Sequence, residues 1–152
     1  MEKTTVLFVC VHNSARSQMA EAFLRQLGDE KFEVESAGLK PGEINPLVID
    51  VMREVGIDLS SKSTQSVFDL YKKGRLYNYV ITVCDGANAQ SCPLFPGISV
   101  RQNWSFEDPA GFTGTYEERL ERTREIRDQI KQDVEKFIAE VEKGEASGLF
   151  TA

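Results

Sequence analysis

A cysteine and an arginine separated by five residues stand where a buried strand gives way to a helix. The apolar run that ends at Cys10 is typical of a strand buried on both faces. After Arg16, apolar residues recur at helical spacing. A helix N-terminus offers N–H groups without intrahelical partners, and these bind anions. The nucleophilic form of cysteine is the thiolate, which such a terminus and a nearby cation stabilise. The spacing therefore predicts an oxyanion-binding loop with a cysteine nucleophile.

The residue types inside this loop indicate how an oxyanion would be held. Arg16 can bind a tetrahedral oxyanion through two parallel hydrogen bonds, and Ser17 can donate its hydroxyl to the thiolate. Asn13 tolerates the left-handed backbone region that a loop with converging N–H groups requires. The alternatives are an ordinary turn for Asn13 and a small core residue for Cys10. We expect the substrate to contact Val11, His12, Asn13, Ser14, Ala15, Arg16 and Ser17.

Two residues could supply a proton. His12 is the only histidine of the chain, and we interpret it as a solvent-facing loop residue. Asp108 precedes Pro109, and this dipeptide is first of all a turn signal. A leaving oxygen nevertheless needs a proton, which a loop carboxyl near the anion site can provide. From the residues alone, Asp108 is therefore either a turn residue or a proton donor.

The other cysteines, Cys84 and Cys92, raise the question of redox chemistry. Each alone has a structural interpretation, because Cys84 ends a predicted buried strand and Cys92 precedes a proline in a loop. Together with Cys10 they favour a thiol relay, since Cys10 and Cys84 both end predicted strands. The small residues between Cys84 and Cys92 would let this loop bend to close a disulfide, which needs Cα atoms within about 7 Å.

Strand and helix signals alternate along the chain. Strand signals cover residues 4–9, 32–37, 79–84 and 98–103, and helix signals cover residues 17–27, 46–55, 67–73 and 116–142. This order predicts a single-domain α/β fold with a four-stranded parallel sheet and helices on both faces. Ligands bind such sheets at the carboxyl ends of the strands. We expect the domain to cover residues 1–143, with residues 144–152 as a flexible tail.

Composition restricts the environment and the partners. The 152 residues are 41% hydrophobic and 28% charged, with a formal charge of −6, which argues against nucleic acid and anionic membranes as partners. No apolar run approaches the roughly 20 residues that span a bilayer. Three cysteines without a secretory signal fit a reducing cytosol. We expect a cytoplasmic monomer.

The loop sequence C-V-H-N-S-A-R-S-Q-M-A-E resembles C-x-G-N-S-C-R-S-Q-M-A-E of the thioredoxin-coupled arsenate reductases, within the low-molecular-weight protein tyrosine phosphatase superfamily. The similarity continues through Asp108-Pro109 and the closing helix. It implies the phosphatase fold, with Asp108 as general acid and Cys10 attacking arsenate. It further implies a Cys10, Cys84 and Cys92 disulfide relay. No tightly bound cofactor is implied, and thioredoxin, or glutaredoxin with glutathione, is the external reductant.

Several residues depart from the family patterns. They bear on whether the chain resembles the phosphatases or the reductases, and on metal binding. Gln18 stands where the phosphatases carry proline, and Ala110-Gly111 stand where they carry aromatic residues, so both favour a reductase. Ala15 replaces a second loop cysteine of many reductases. Gln65 replaces an aspartate of the family's potassium site, and losing a carboxylate weakens a site for a hard cation. We therefore expect no resident metal, with at most a weak potassium site at Asn13, Glu21 and Ser36.

Three functions are compatible with the sequence, which favours the first of them. The first is arsenate reduction. The second is hydrolysis of phosphomonoesters through a Cys10 thiophosphate, which would need only Cys10, Arg16 and Asp108. The third is sequestration of arsenite by three thiols, which would not need Arg16 or Asp108.

Overall fold

The computed structural model describes residues 3–146 as a parallel sheet packed between helices. The sheet has the strand order β2-β1-β3-β4, and every pair is parallel. The strands are β1 (Thr4–Cys10), β2 (Phe32–Gly38), β3 (Tyr79–Thr82) and β4 (Val100–Asn103). The α-helices of the described residues are α1 (Arg16–Leu27), α2 (Pro46–Arg53), α3 (Val67–Lys72), α4 (Gly86–Ala89) and α5 (Tyr116–Ala146). This architecture confirms the predicted α/β fold.

Strand β1 is central because its side chains alternate between two apolar clusters. Val6, Phe8 and Cys10 belong to the larger cluster, which α1, α2 and α5 cover. Leu7 and Val9 belong to the smaller cluster on the opposite face, which α3 covers. The helices therefore lie on both faces of the sheet, and the carboxyl end of β1 opens into the loop that leads to α1.

Strand β3 ends at Thr82, two residues before its predicted end at Cys84. Val83 still donates its N–H to the carbonyl of Val9, but the chain then turns into the short helix α4, which the sequence did not predict. Asp85 explains the turn, since its carboxylate accepts a hydrogen bond from the N–H of Asn88 at 2.9 Å and caps this helix. Cys84 thus lies in the turn beyond the strand.

The closing helix α5 begins at Tyr116 as predicted but continues to Ala146. The prediction of a tail from Gly144 was therefore wrong for residues 144–146, and residues 147–152 lie outside the described part of the chain. Val141 and Gly144 are buried, so packing extends past the predicted end. One glycine costs a helix only about 1 kcal/mol, which such packing offsets. Among residues 3–146, no helix is long and apolar enough to cross a membrane.

Candidate active site

The loop between β1 and α1 is held from outside by the segment that follows β2. Backbone N–H groups of this segment donate to four carbonyl oxygens at the end of β1 and in the loop. The donor and acceptor pairs are Leu39 to Cys10, Lys40 to Val11, Gly42 to His12 and Asn45 to Ser14. The carbonyl of Asn13 accepts a hydrogen bond from Gln18 Nε2 at 3.1 Å. Because its carbonyls are engaged on the outer side, the loop can direct its N–H groups toward an anion.

Asn13 and Gly38 make this tight loop sterically possible. Asn13 has a φ of 54°, in the left-handed region that asparagine tolerates, and is fully buried. Gly38 pairs with Cys10 across the sheet. A Cβ at Gly38 would lie 2.8 Å from the backbone nitrogen of Asn13 and 2.9 Å from the carbonyl carbon of His12. Only glycine therefore lets β2 approach the loop this closely.

Cys10 lies at the base of the loop between two hydrogen-bond partners. Its sulfur is 2.8 Å from Ser17 Oγ and accepts the backbone N–H of Asn13 at 3.2 Å. Donors aimed at a sulfur favour its ionised form. The cysteine is 2% exposed, so substrate must enter the loop to reach it. This geometry suits a nucleophilic thiolate.

Arg16 and Asp108 meet across 92 residues of sequence. Arg16 Nη2 lies 3.4 Å from Asp108 Oδ2, and Nη1 donates to the carbonyl of Phe106 at 3.2 Å. Arg16 Nε is buried and has no hydrogen-bond partner among the described residues, so it can serve an oxyanion. Asp108 Oδ1 accepts the N–H of Ala110 at 3.0 Å and caps the 3₁₀ turn Pro109–Gly111. The candidate general acid thus lies beside the candidate oxyanion clamp.

Cys84 is fully buried in the same apolar cluster as Cys10. Burial raises the pKa of Cys84 to about 11, with the Arg16 charge opposing this shift and Cys10 and Asp85 adding to it. Because Val9 of β1 lies opposite Thr82 of β3 in the parallel sheet, Cys10 and Cys84 follow these residues at the same edge. The structure therefore brings together Cys10, Cys84, Arg16 and Asp108.

Cys92 lies apart from this group. It follows α4 and packs into the smaller cluster, on the face of the sheet opposite Cys10 and Cys84. Only 5% of Cys92 is exposed to solvent, although it lies in a loop. Burial raises the pKa of Cys92 and the nearby Arg101 opposes the shift. All three cysteines are free thiols.

The three oxygen-bearing residues suggested for potassium are close together, but they bond to one another and to cationic side chains. Asn13 Nδ2 donates to Ser36 Oγ at 3.0 Å, and Ser36 Oγ donates to Glu21 Oε1 at 2.6 Å. Glu21 Oε2 accepts Lys62 Nζ at 2.8 Å and Arg25 Nε at 2.9 Å. Between residues 3 and 146, no group of three or more His, Cys, Asp or Glu side chains could hold a metal.

Two glutamines hold the loop in ways that the sequence did not indicate. Gln18 Nε2 bonds both the carbonyl and Oδ1 of Asn13 at 3.1 Å and the carbonyl of Ser63 at 3.3 Å. The N–H of Gln65 donates to Asn13 Oδ1, and its side chain donates to the carbonyl of Ser36. These contacts join segments 45 and 52 residues apart in the sequence, so no local pattern indicates them.

The remaining loop residues differ in their exposure to solvent. His12 is exposed, and its Nδ1 lies 3.0 Å from the carbonyl oxygen of Lys40. Val11 and Ser14 are half-buried, and Ala15 is buried where a second loop thiol would otherwise stand.

A strand-to-helix loop with a cysteine at one end and an arginine at the other, on a four-stranded parallel sheet, defines a small α/β protein with a thiol at the base of a candidate oxyanion site. Residues 5–147 match the family described as low molecular weight phosphotyrosine protein phosphatase, and the chain belongs to that family. It is 39% identical over 138 residues to the arsenate reductase of Shouchella clausii (strain KSM-K16), covering 90% of this chain and 96% of that protein.

Solved structures agree with this assignment. An arsenate reductase in its oxidized state superposes with a TM-score of 0.76 at 34% identity, covering 91% of this chain and 98% of that chain. A thioredoxin-dependent arsenate reductase of Corynebacterium glutamicum superposes with a TM-score of 0.61 at 30% identity, covering 88% of this chain and 62% of that chain.

Proposed function

We propose that this chain reduces arsenate to arsenite through Cys10, Cys84 and Cys92. The observation that carries the proposal is the second buried thiol, Cys84, in the same cluster as the anion-loop cysteine. Hydrolysis of a phosphomonoester through Cys10 does not require a second thiol such as Cys84. The names of the similar proteins support the same activity.

In the first step, the Cys10 thiolate attacks the arsenic of a bound arsenate dianion. Arg16 and the loop N–H groups hold the oxyanion, and Asp108 gives a proton to the departing oxygen, which leaves as water. The product is a Cys10–arsenic(V) adduct. The contact between Arg16 and Asp108 supports this step because it holds the acid next to the clamp.

In the second step, the Cys84 thiolate attacks the Cys10 sulfur. The sulfur–arsenic bond breaks and its electron pair stays on arsenic, which leaves as arsenite, while a Cys10–Cys84 disulfide forms. In the third step, Cys92 attacks Cys84 and releases the Cys10 thiolate. A thioredoxin dithiol then supplies two electrons and two protons to the Cys84–Cys92 disulfide. We propose a cytoplasmic monomer that uses thioredoxin, with glutaredoxin and glutathione as the alternative reductant.

The third step requires a rearrangement. Cys92 lies among apolar side chains on the face of the sheet opposite Cys84, so one of the two thiols must leave its cluster. The only regular element between β3 and β4 is the short helix α4. A movement of this segment would therefore disrupt little secondary structure. Movement of this segment would also carry the disulfide toward solvent, where a reductant could reach it.

Disulfide mapping tests the proposal. Arsenate without thioredoxin should leave wild type with Cys84 and Cys92 joined and Cys10 free. Cys92→Ser should perform about one turnover and stop as a Cys10–Cys84 disulfide. Cys84→Ser should retain arsenic on Cys10 and retain any phosphatase activity. Peptide mapping after thiol alkylation identifies the bonded pair in each case.

The alternative function is phosphomonoester hydrolysis, which the family membership and the Arg16–Asp108 contact also support. An aryl phosphate assay on the same preparations separates the two. If arsenate produces no disulfide in wild type, or if both serine variants turn over normally, the reductase proposal fails and hydrolysis through Cys10 replaces it.

A further inference from the structure

The surface near Cys92 carries large apolar side chains that the described part of the chain leaves exposed to solvent. They lie on α3, in the connector that follows it and in the segment that leads to β4. The four residues, with their exposed fractions, are Tyr71 (45%), Leu76 (63%), Leu94 (74%) and Ile98 (98%). Single exposed apolar side chains are common, whereas a contiguous group of them marks a surface for a partner. We call these four residues the apolar patch.

Contacts between separate segments bring the members of the apolar patch together. The ring of Tyr71 packs edge to face on that of Phe95, with 5.9 Å between the ring centres. Leu76 lies against the backbone at Gly97, since a Cβ built there would be 3.5 Å from Leu76 Cδ2. The other two members of the patch directly precede Phe95 and directly follow Gly97 in the sequence. The four residues therefore lie on one stretch of surface.

Cys92 lies beneath this stretch of surface. It belongs to the smaller apolar cluster together with Phe95. Arg101 of β4 is opposite Val80 of the same cluster in the sheet register, so it lies on the same face of the sheet as Cys92. Its Nη1 donates to the carbonyl of Pro93 at 3.0 Å. The apolar patch and Arg101 therefore surround the segment that carries Cys92.

Positive charge lies around the apolar patch. Lys72 and Lys73 directly follow Tyr71, and Arg101 bonds the residue that precedes Leu94. Within residues 3–146, none of these three cations forms an ion pair with a carboxylate. Lysines at the end of α3 also complement the helix dipole, but that reason does not apply to Arg101 on a strand. The three cations are therefore available to a partner.

The carboxylates on this side of the molecule do not cancel that charge. Glu35 pairs with Arg75 at 3.4 Å, and Asp69 is the only acidic residue of α3. The chain as a whole has a formal charge of −6. An acidic protein would therefore be repelled by the molecule as a whole and attracted to this surface.

We propose that the apolar patch is the docking surface for an acidic protein dithiol, the reductant of the last disulfide. The inference rests on the proposed function, which ends with a disulfide between Cys84 and Cys92. A reductant must reach a sulfur of that disulfide, so it must cover the segment that carries Cys92. The same segment carries Leu94 and Ile98, the most exposed members of the patch. An apolar centre with a charged rim is the usual anatomy of a protein interface.

The chemistry at this surface is a thiol–disulfide exchange. A thiolate of the partner attacks one sulfur of the Cys84–Cys92 disulfide, which forms a mixed disulfide and releases the other sulfur as a thiolate. The second thiol of the partner then closes the partner's own disulfide and releases the remaining cysteine. Two electrons pass from the partner to the chain. Glutathione is a tripeptide and is too small to cover all four patch residues, so the surface favours a protein reductant.

The test compares reduction of the same disulfide by a large and by a small dithiol. Wild type and Ile98→Asp are oxidised with arsenate, freed of arsenic and mixed with a reduced, acidic bacterial thioredoxin or with dithiothreitol. Ile98→Asp should lower kcat/KM for thioredoxin about tenfold, because a charge replaces the apolar centre of the interface. The rate with dithiothreitol, which needs no docking surface, should not change. Equal rates of the two proteins with thioredoxin overturn the proposal.

Matched variants separate docking from a general effect of charge. Gln132→Asp adds the same charge on α5, which covers the opposite face of the sheet, and should react like wild type. Lys73→Glu should lower kcat/KM for thioredoxin about threefold at low ionic strength, and added salt should reduce this difference. Lys136→Glu makes the same change on α5 and should have no such effect. Equal losses in the patch variants and the α5 variants overturn the proposal.

Docking can also be measured without redox chemistry. A thioredoxin with both active-site cysteines replaced by serine is titrated into the reduced, isotope-labelled chain and followed by NMR. The amide signals that shift should be those of the apolar patch and its neighbours, and Ile98→Asp should abolish the shifts. Shifts confined to another surface overturn the proposal. Self-association of the chain, or binding to phosphatidylserine vesicles, that Ile98→Asp abolishes while thioredoxin reduction stays normal assigns the patch to another occupant and also overturns it.

The two proposals fail separately. If arsenate produces no disulfide in wild type, the reductase function is refuted, and the NMR titration still decides whether the patch binds a dithiol protein. If the disulfide forms and thioredoxin reduces it equally fast in wild type and in Ile98→Asp, the docking surface alone is refuted.

Discussion

The pH dependence of arsenite release should report the burial of Cys84. Burial, together with the nearby Cys10 and Asp85 charges, outweighs the opposing Arg16 charge and raises the pKa of this thiol to about 11. Between pH 8.5 and 10 the thiolate fraction of such a group rises about 30-fold, whereas that of an ordinary cysteine with a pKa near 8.5 rises about twofold. If Cys84 attacks as a thiolate from its buried position, the rate of Cys10–Cys84 disulfide formation should follow the steeper curve.

The assay is a single turnover of Cys92→Ser, which removes the later thiol step. At each pH, arsenate is mixed with an excess of enzyme and the reaction is quenched with acid after a set time. The quenched samples are analysed for arsenite and for the Cys10–Cys84 disulfide. Toward neutral pH the Cys10–arsenic adduct should accumulate, because its decay is slow there. Circular dichroism at each pH provides the control for folding.

The adduct and the disulfide must be followed together, because a slow first step could hide the second. A disulfide rate that rises only about twofold from pH 8.5 to 10 while the adduct is present would refute the reasoning. It would mean that Cys84 leaves its apolar surroundings, or gains a base, before it attacks.

Three substitutions test the remaining roles. Cys10→Ser should abolish arsenate reduction and aryl phosphate hydrolysis but keep oxyanion binding, measured by calorimetry; turnover by this variant would remove Cys10 as the nucleophile. Arg16→Lys should lower kcat/KM at least about 100-fold, because a point charge cannot replace the planar guanidinium; near-normal kinetics would show that Arg16 does not clamp the substrate. Asp108→Asn should slow substrates with poor leaving groups most, and equal slowing for good and poor aryl leaving groups would argue against a general acid.

Local patterns were sufficient for the sheet and for the anion loop. Strand β1 is a continuous apolar run because both of its faces are buried, and helical spacing begins at once after the loop. A parallel sheet then places the carboxyl ends of β1 and β3 on one edge. This is why Cys10 and Cys84 could be placed together from the sequence, although β3 ends earlier than predicted.

Contacts between distant segments could not be predicted in this way. The burial of Cys92 depends on the apolar cluster opposite Cys10, to which several separated segments contribute. The pairing of Lys62 with Glu21 joins a polar connector to a helix 41 residues away. The local sequences around Cys92 and Lys62 are those of solvent-exposed loop residues. Their environments could therefore be determined only from the folded structure.

The separation of the thiols has a chemical consequence for the proposed relay. Ala15 cannot form a disulfide with Cys10, so this loop lacks the second cysteine that could protect its nucleophile. Protection must then come from burial, and Cys10, Cys84 and Cys92 are all at most 5% exposed. Because Cys92 packs on the opposite face of the sheet, it cannot pair with Cys84 until the segment between β3 and β4 moves. In the proposed relay, formation of the Cys10–Cys84 disulfide would start this movement, because the new bond constrains the turn that contains Cys84. The relay would then expose its last disulfide only after arsenate has reacted.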